Sequence, residues 1–511
     1  MKRKHISIIA IVFAFGIAGC KKNYLDLETN PNQPSVTTPQ LSLTSAEVAA
    51  AKIVQTDYNE YGVWLGYWTT SGNYVPNPDI NEYNITNGSF ATGAIGSTTI
   101  FAWDDLYLNL ANLNALQNLT AADATLGNFE AIAMILKAYD FEQLVDNYND
   151  VPYSQAFNAT IVAPAYDKGS VIYEALGKQL DAAIALINKT ASNSLAISPG
   201  SADAAFAGDM TGWKKFANSL KLRLALRVYT KTPTDPLVTD LSSTASEGYL
   251  DGTTQAAVNP GYIQANSGAG ISQESPFYGD YGFDVNNNPT SNNVYYRANQ
   301  YAVSYYLDNN DPRAAACYSP TAATGAIQGN VFGDTRTTLQ NPNTSAVGPG
   351  LLQSATQNAV IFSGAESLFL QAEALQDGLG ITAGASFATA QAAYEAGITA
   401  SFVSLGLTAA QATAYYSQTS ANVGWASSSN KEQAIITQKW AALNGWSNLE
   451  AYNEYRRTGY PALPSSIDPA AVGNTLPSRI FYPTTELTSN TANVAKEGTL
   501  NQFTSKIFWA K

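Results

Sequence analysis

The stretch from Lys431 to Pro464, KEQAIITQKWAALNGWSNLEAYNEYRRTGYPALP, constrains this chain most, because it specifies two short helices, their caps and a stop in one run. Ile436, Trp440 and Leu443 recur at i, i+4 and i+7 on one helical face, and Asn444-Gly445 supplies residues suited to a left-handed C-cap. Ser447 and Glu450 have capping-box spacing, Leu449 and Tyr452 give the second helix an apolar edge, and Gly459 with Pro461 ends it. Glu454 and Arg457 sit one turn apart, but such a pair contributes only ~0.2–0.5 kcal/mol on an exposed helix. Trp440, Trp446, Leu449 and Tyr452 must therefore pack on something else, so the segment requires a surrounding helical scaffold.

The rest of the chain is long enough to supply one. Its 511 residues can bury a large core, and with 45% hydrophobic but only 13% charged residues, solubility rests on Asn, Gln, Ser, Thr and Tyr. Such a polar, lightly charged surface suits neutral ligands. Met1 to Cys20 reads as a secretory signal: a basic start, the apolar run Ile6 to Phe15, then Gly16-Ile17-Ala18-Gly19-Cys20, similar to a bacterial lipobox. The run is too short to span a membrane stably, and Cys20 is expected to become the acylated, palmitate-bearing N-terminus. Removing Lys2, Arg3 and Lys4 from the 27 basic residues leaves 24 against 40 acidic ones, a formal net charge of −16, which argues against nucleic acid as a partner. Only Cys317 then remains as a thiol, so no internal disulfide is expected. The single histidine, His5, lies inside the signal; its loss excludes Ser-His-Asp and Cys-His catalysis, HExxH zinc sites and a histidine general base.

After an extended tether over residues 20–40, Thr44 and Glu47 have the spacing to start a helix that runs to about Tyr58. Trp103, Leu106, Leu110 and Leu113 define one helix face, and Phe129, Ile132, Leu136 and Tyr139 another. Further helical patterns cover Lys168 to Asn188, Trp213 to Tyr229, Ala365 to Asp377, Ser386 to Ser401 and Thr408 to Tyr416. Between about 232 and 350 Gly, Asn, Pro, Ser and Tyr dominate, and only Tyr295 to Leu307 keeps a helical period. The expected class is mainly α: a tetratricopeptide-like helix-pair frame, about 41–231 and 365–460, with a loop-rich, irregular half over 232–350 packed on it. We expect one domain over 20–511 after a signal peptide over 1–19.

Six segments in order resemble the SusD/RagB family of Bacteroidetes outer-membrane lipoproteins, in particular its SusD-like branch. They are the lipobox with NYLDLETNPN (Asn23 to Asn32), LVDNYNDVPYSQAF (Leu144 to Phe157), LDNNDPR (Leu307 to Arg313), AESLFLQAEAL (Ala365 to Leu375), QKWAALNGWSNLEAYNEYRRTGYPAL (Gln438 to Leu463) and RIFYPTTELTSNTANV (Arg479 to Val494). The resemblance implies four tetratricopeptide-like helix pairs, a lipid anchor in the outer membrane facing the cell exterior, and a lid over a SusC-like TonB-dependent barrel. It further implies a non-catalytic protein that captures oligosaccharide, or in some branches peptide, and passes it on, with no cofactor. One departure is that Lys21 to Leu25 lacks the acidic run that often follows the cysteine in surface-exported lipoproteins of that phylum.

A neutral glycan is best held by flat aromatic faces with amides, hydroxyls and an occasional Arg reaching the ring hydroxyls. The densest aromatic stretch is Tyr58, Tyr61, Trp64, Tyr67, Trp68 and Tyr74; Tyr61, Trp64 and Trp68 share helical spacing, which equally describes a core face. Trp68, Asn73 and Tyr74 are the ligand candidates there. The second cluster, PFYGDYGF from Pro276 to Phe283, offers Tyr278, Tyr281 and Phe283 beside Tyr295 and Arg297, or else a hydrophobic loop plug. Alternatives remain a peptide or glycopeptide receptor and a surface glycoside hydrolase working through paired carboxylates. For the latter, the adjacent Asp104-Asp105 reads better as acids complementing a helix N-terminus. Asp308 to Asp311 and Asp284 to Asn288 are oxygen-rich but lack EF-hand register, so they read as turns and no metal site is expected. Cys317 reads as a small buried hydrophobe.

Overall fold

A computed structural model describes residues 37–74, 77–85, 102–264, 273–336 and 339–511. Cys20, the signal and most of the tether lie outside these residues. The helices that matter are α1 (Pro39–Thr56), α2 (Asn59–Trp64), α3 (Trp103–Thr120), α4 (Gly127–Tyr148), α5 (Gly169–Thr190), α6 (Met210–Tyr229), α7 (Pro276–Tyr281), α8 (Ser291–Tyr295) and α9 (Gln300–Asp308). They continue with α10 (Gly364–Gln376), α11 (Ala390–Ser404), α12 (Ala409–Tyr416), α13 (Lys431–Leu443) and α14 (Asn448–Thr458). Consecutive helices pack as pairs, α3 on α4, α5 on α6 and α10 on α11, with α13 closing against both α10 and α11. The protein is thus mainly α, a frame of tetratricopeptide-like helix pairs. Among the described residues six short strands form three antiparallel pairs: β1 (Trp68–Thr70) with β3 (Tyr296–Ala298), β2 (Ala256–Val258) with β4 (Ala359–Phe362), and the two-residue strands Val151–Pro152 and Tyr166–Asp167 with each other. Among the described residues no helix is long and apolar enough to cross a membrane.

The periodic faces are buried as their spacing requires. Trp103, Leu106, Leu110 and Leu113 pack with Phe129, Ile132, Leu136 and Tyr139 in one core, while Phe369, Tyr394, Ile398, Phe402 and Ile436 form a second cluster. Within Lys431 to Pro464, α13 stops at Leu443 and Gly445 takes a left-handed φ of 78°. Trp440 lies under Tyr67 and donates its indole N–H to the Leu65 carbonyl at 3.0 Å.

Several local expectations change. α1 starts at Pro39 with Thr38 as its N-cap, so Thr44 sits inside the helix, and the Glu47 carboxylate accepts from the Ala204 amide at 2.6 Å rather than capping. The capping box expected at Ser447 does not form: the Ser447 side chain makes no capping bond, and Glu450 turns inward to Lys439 and Arg227 instead of reaching back. The helix expected over Tyr295 to Leu307 breaks into α8, β3 and α9, since Tyr296 to Ala298 pair with β1 and Asn299 caps α9. Tyr61, Trp64 and Trp68 do not share one helix: α2 ends at Trp64, Gly66 has φ 73°, and Trp68 enters β1. PFYGDYGF is largely helical rather than a loop.

Lys221 and Arg223 on α6 are buried, and so is the Glu454–Arg457 pair. Lys221 pairs with Asp181 at 2.7 Å and Asp240 at 2.9 Å near the edge, whereas Arg223, Glu454 and Arg457 belong to a charged layer inside the frame. Arg223 binds Glu142 and Glu366, the latter at 2.8 Å. Arg227 reaches Glu142, Asp146 and Glu450; Lys439 Nζ holds Glu450 at 2.7 Å and Glu454 at 2.9 Å. Burial raises both Asp146 and Glu366 to about 7 despite the neighbouring Arg227 and Arg223. Glu454 is buried as well, yet Arg457 and Lys439 hold its carboxylate well below the usual range. Helices α4, α6, α10, α13 and α14 therefore meet through polar matching as well as apolar packing.

Candidate functional site

The β1–β3 pair brings together the two sequence clusters. Thr69 lies opposite Arg297 and Thr70 opposite Tyr296, so the turn after β1 meets the end of α8. Tyr74 and Tyr295, both half-buried, meet edge to face with centroids 5.2 Å apart and an interplanar angle of 65°. The string of rings continues inward from Tyr295 to Tyr296 at 5.0 Å, to Tyr281 at 5.7 Å and to Phe277 at 4.8 Å. Only its outer end is accessible.

Arg297 supplies the charge. Its Nε donates to the Val294 carbonyl and to Asn341 Oδ1, both at 3.2 Å, which fixes the guanidinium plane, and no carboxylate pairs with it among the described residues. Burial lowers its pKa, with the nearby Tyr74 hydroxyl opposing. Asn341 is locked in turn: its amide N–H donates to Asn73 Oδ1 at 2.6 Å and its Oδ1 accepts from Ser71. Asn73 itself is exposed. The outcome is a rigid patch of two tyrosine rings, two carboxamides and one guanidinium edge, suited to hydrogen-bonding a neutral ligand while it lies on aromatic carbon.

The patch rests on a polar underlayer. The Asp280 carboxylate accepts from Asn59 Nδ2 at 3.2 Å and from Asn292 Nδ2 at 2.8 Å, tying α7 to α2 and α8. Burial raises its pKa. Glu60, half-buried beside it, is raised to about 7 by burial, partly offset by its own backbone amide and reinforced by Asp280.

Not every expected residue reaches this surface. Trp68 is only 6% exposed, its ring covered edge-on by Tyr318 at 5.2 Å, because strand pairing turns it into the core; it offers no face to a ligand. Tyr281 is likewise 6% exposed, clamped between Phe277 and Tyr296. Tyr278 and Phe283 are half-buried on the same α7 segment, but no ring contact joins either to Tyr295 among the described residues. Asn73, Tyr74 and Tyr295 do converge at the surface, and Arg297, itself only 8% exposed, joins them through Asn341. Asn341 and Ser71 were missed: each sits in an unremarkable polar turn, and only the fold places Asn341 between Arg297 and Asn73.

Asp104 and Asp105, weighed for hydrolysis, and Asp284 and Asp311, in the oxygen-rich runs read as turns, sit in local structural contacts. Asp104 and Asp105 lie in the first turn of α3, where Asp104 is raised by burial and hydrogen-bonded by Thr485. Asp284 closes its own turn by accepting from the Asn286 and Asn288 amides, both at 2.8 Å. Asp311 is bound by Arg313, the Nη2–Oδ2 distance being 2.7 Å. Cys317 is fully buried, and burial pushes its thiol up to about 12. Among the described residues no group of three or more Asp, Glu, Cys or His side chains could hold a metal ion.

A mainly α frame carrying a shallow aromatic and amide patch defines a class of ligand-binding proteins. The profile of the SusD-like family described as "Starch-binding associating with outer membrane" matches residues 31–483, and the chain belongs to that family. Solved structures agree on the fold. A SusD homologue from Bacteroides uniformis is 25% identical with a TM-score of 0.70, covering 92% of this chain and 99% of its own. A chitin-binding SusD homologue from Flavobacterium johnsoniae is 22% identical with a TM-score of 0.71, covering 91% and 98%. Another, described as a chitin-binding protein, is 23% identical with a TM-score of 0.74, covering 93% and 100%. A comparison with curated proteins returned no match.

Proposed function

We propose that this chain is a non-catalytic, lipid-anchored outer-membrane protein that captures oligosaccharide at the patch of Asn73, Tyr74, Tyr295 and Arg297 and hands it to a TonB-dependent transporter. The observation that carries the reading is the Tyr74–Tyr295 edge with Arg297 held behind it by Asn341, since rings, carboxamides and a guanidinium without a carboxylate partner suit sugar hydroxyls. Membership of a family described as starch-binding and the chitin-binding relatives support the same ligand class. In this reading residues 1–19 are a signal peptide, Cys20 carries the lipid, residues 20–511 form one domain, and the protein faces the cell exterior as a lid on its barrel.

A glycan array with the soluble chain lacking Cys20 tests the ligand class. Binding of neutral oligosaccharides without release of reducing ends is expected. Accumulating reducing ends, abolished by an Asp or Glu substitution, would overturn the non-catalytic reading, and competition by peptides but not glycans would move the protein to the peptide-receptor branch. Co-purification of a TonB-dependent barrel with the full-length protein tests the partner.

A further inference from the structure

A cavity of about 450 Å³ lies where the β2–β4 pair meets the start of α10, the end of α11 and the α13–α14 connection, and it shares no residue with the tyrosine patch. Its volume falls in the ~300–1,000 Å³ range of small-molecule sites. Gln255, Gln353, Gln357, Asn358, Val403 and Trp446 shape it, and Ser363 and Gly364 bring the first turn of α10 to its wall. Among the described residues no lining side chain is charged.

The carboxamides are set in place by the protein itself. Gln353 Nε2 donates to the Gly350 carbonyl at 2.8 Å and the Ser404 carbonyl at 2.7 Å, and Gln357 Nε2 to the Leu351 carbonyl at 3.0 Å. Other polar groups are left over. Asn358, which is exposed, accepts at Oδ1 from Asn259 at 2.8 Å, and among the described residues neither its own N–H groups nor Gln255 has a hydrogen-bond partner. Trp446 is only 9% exposed, and its indole N–H has no partner either.

These observations select the ligand. A charged molecule seated in this open-mouthed cavity meets no counter-charge among the described lining residues, and an apolar one offers nothing to Gln255, to the Asn358 N–H groups or to the indole N–H. A molecule with hydroxyls around an apolar ring face satisfies both requirements, with the indole ring as the apolar wall. We propose that this cavity is a second binding site, for a neutral sugar of one or two rings, independent of the Tyr74–Tyr295 patch.

Calorimetric titration of the full chain with maltose and with N,N′-diacetylchitobiose, alongside three variants, tests it. Val403, 54% exposed at the cavity wall, can become Trp without disturbing the core, so V403W fills the site. Q255A removes one free carboxamide and guards against a folding defect in V403W. The expected result is that Tyr74→Ala/Tyr295→Ala leaves stoichiometric binding of at least one probe, which V403W and Q255A each weaken tenfold or more. If the double tyrosine variant is folded but binds neither probe, the cavity is not a site and the patch reading stands. Residual binding unchanged by both cavity variants also overturns the proposal. Wild-type binding lost in V403W but untouched in the tyrosine variant would support the cavity and overturn the patch.

Discussion

Arg457 grips Glu373 through both terminal guanidinium nitrogens, at 2.6 and 2.8 Å, with every atom of the contact sealed inside the frame. The bond joins α14 to α10, and Glu454 takes the remaining edge of the same guanidinium, with Nε at 3.0 Å. Removing one partner of such a pair strands the others in low dielectric, which costs about 3–5 kcal/mol. Arg457→Met should therefore destabilise the fold by about that amount in chemical unfolding, and Arg457→Met combined with Glu373→Leu and Glu454→Leu by less. A single variant as stable as the wild type would mean that the layer is hydrated rather than dry.

A carboxyl outside this layer makes the fold pH-sensitive. Asp140 on α4 is fully buried, its carboxyl accepting among the described residues only from Asn109 Nδ2 at 2.8 Å, and burial pushes its pKa up to about 8. A carboxyl raised on folding stabilises while protonated in both states, below about pH 4, and that contribution is lost as pH rises towards 8. Asp140→Asn should flatten the fall in melting temperature between pH 4 and 8, leaving the acidic limb little changed. Parallel melting curves for the two proteins over this range would refute the assignment.

Replacing Tyr74 or Tyr295 by Ala should weaken glycan binding tenfold or more with little change in melting temperature, because both rings sit at the half-exposed end of the string. Trp68→Ala should do the opposite: as a core residue packed on Tyr318 it should cost about 3–5 kcal/mol of stability. Melting curves and affinities measured on the same preparations separate the two. A stable Trp68→Ala variant with lost affinity would return Trp68 to the ligand surface.

Gly445 allows a test of the turn between α13 and α14. Its φ of 78° and the Leu351 side chain, 2.7 Å from where a Cβ would stand, both oppose substitution. Gly445→Ala should destabilise by about 1–2 kcal/mol from the left-handed backbone alone, whereas Gly406→Ala, at φ 81° with open space around it, reports the backbone contribution without the contact. Equal melting temperatures for the two variants would show that Leu351 simply moves aside.

The frame was legible because it is written in local periodicity: the faces of α3 and α4 and the stop at Asn444-Gly445 need no knowledge of distant residues. The charged layer was not. Glu450, Glu454 and Arg457 have the same spacing whether they sit in water or in the core, and only the packing of α4 and α6 against them decides. The candidate site divides the same way. Tyr74 and Tyr295 stood out as aromatics among polar residues, yet their meeting depends on β1 and β3, two strands of three residues each, too short to leave an alternating pattern. Trp68 was misplaced for that reason, and Asn341 is recognisable only by its bonds to Arg297 and Asn73.

The charged layer bears on how such a protein can diversify. Arg227 touches acids from α4 and α14 at once, so an altered charge there demands matching changes at positions more than eighty residues before it and over two hundred after it in the chain. Few single mutational steps through that interior stay folded. Tyr74, Asn73 and Tyr295 lie outside that layer and touch only near neighbours, so on the proposed reading a lineage built on this plan can vary its ligand surface in small local steps while its skeleton stands still.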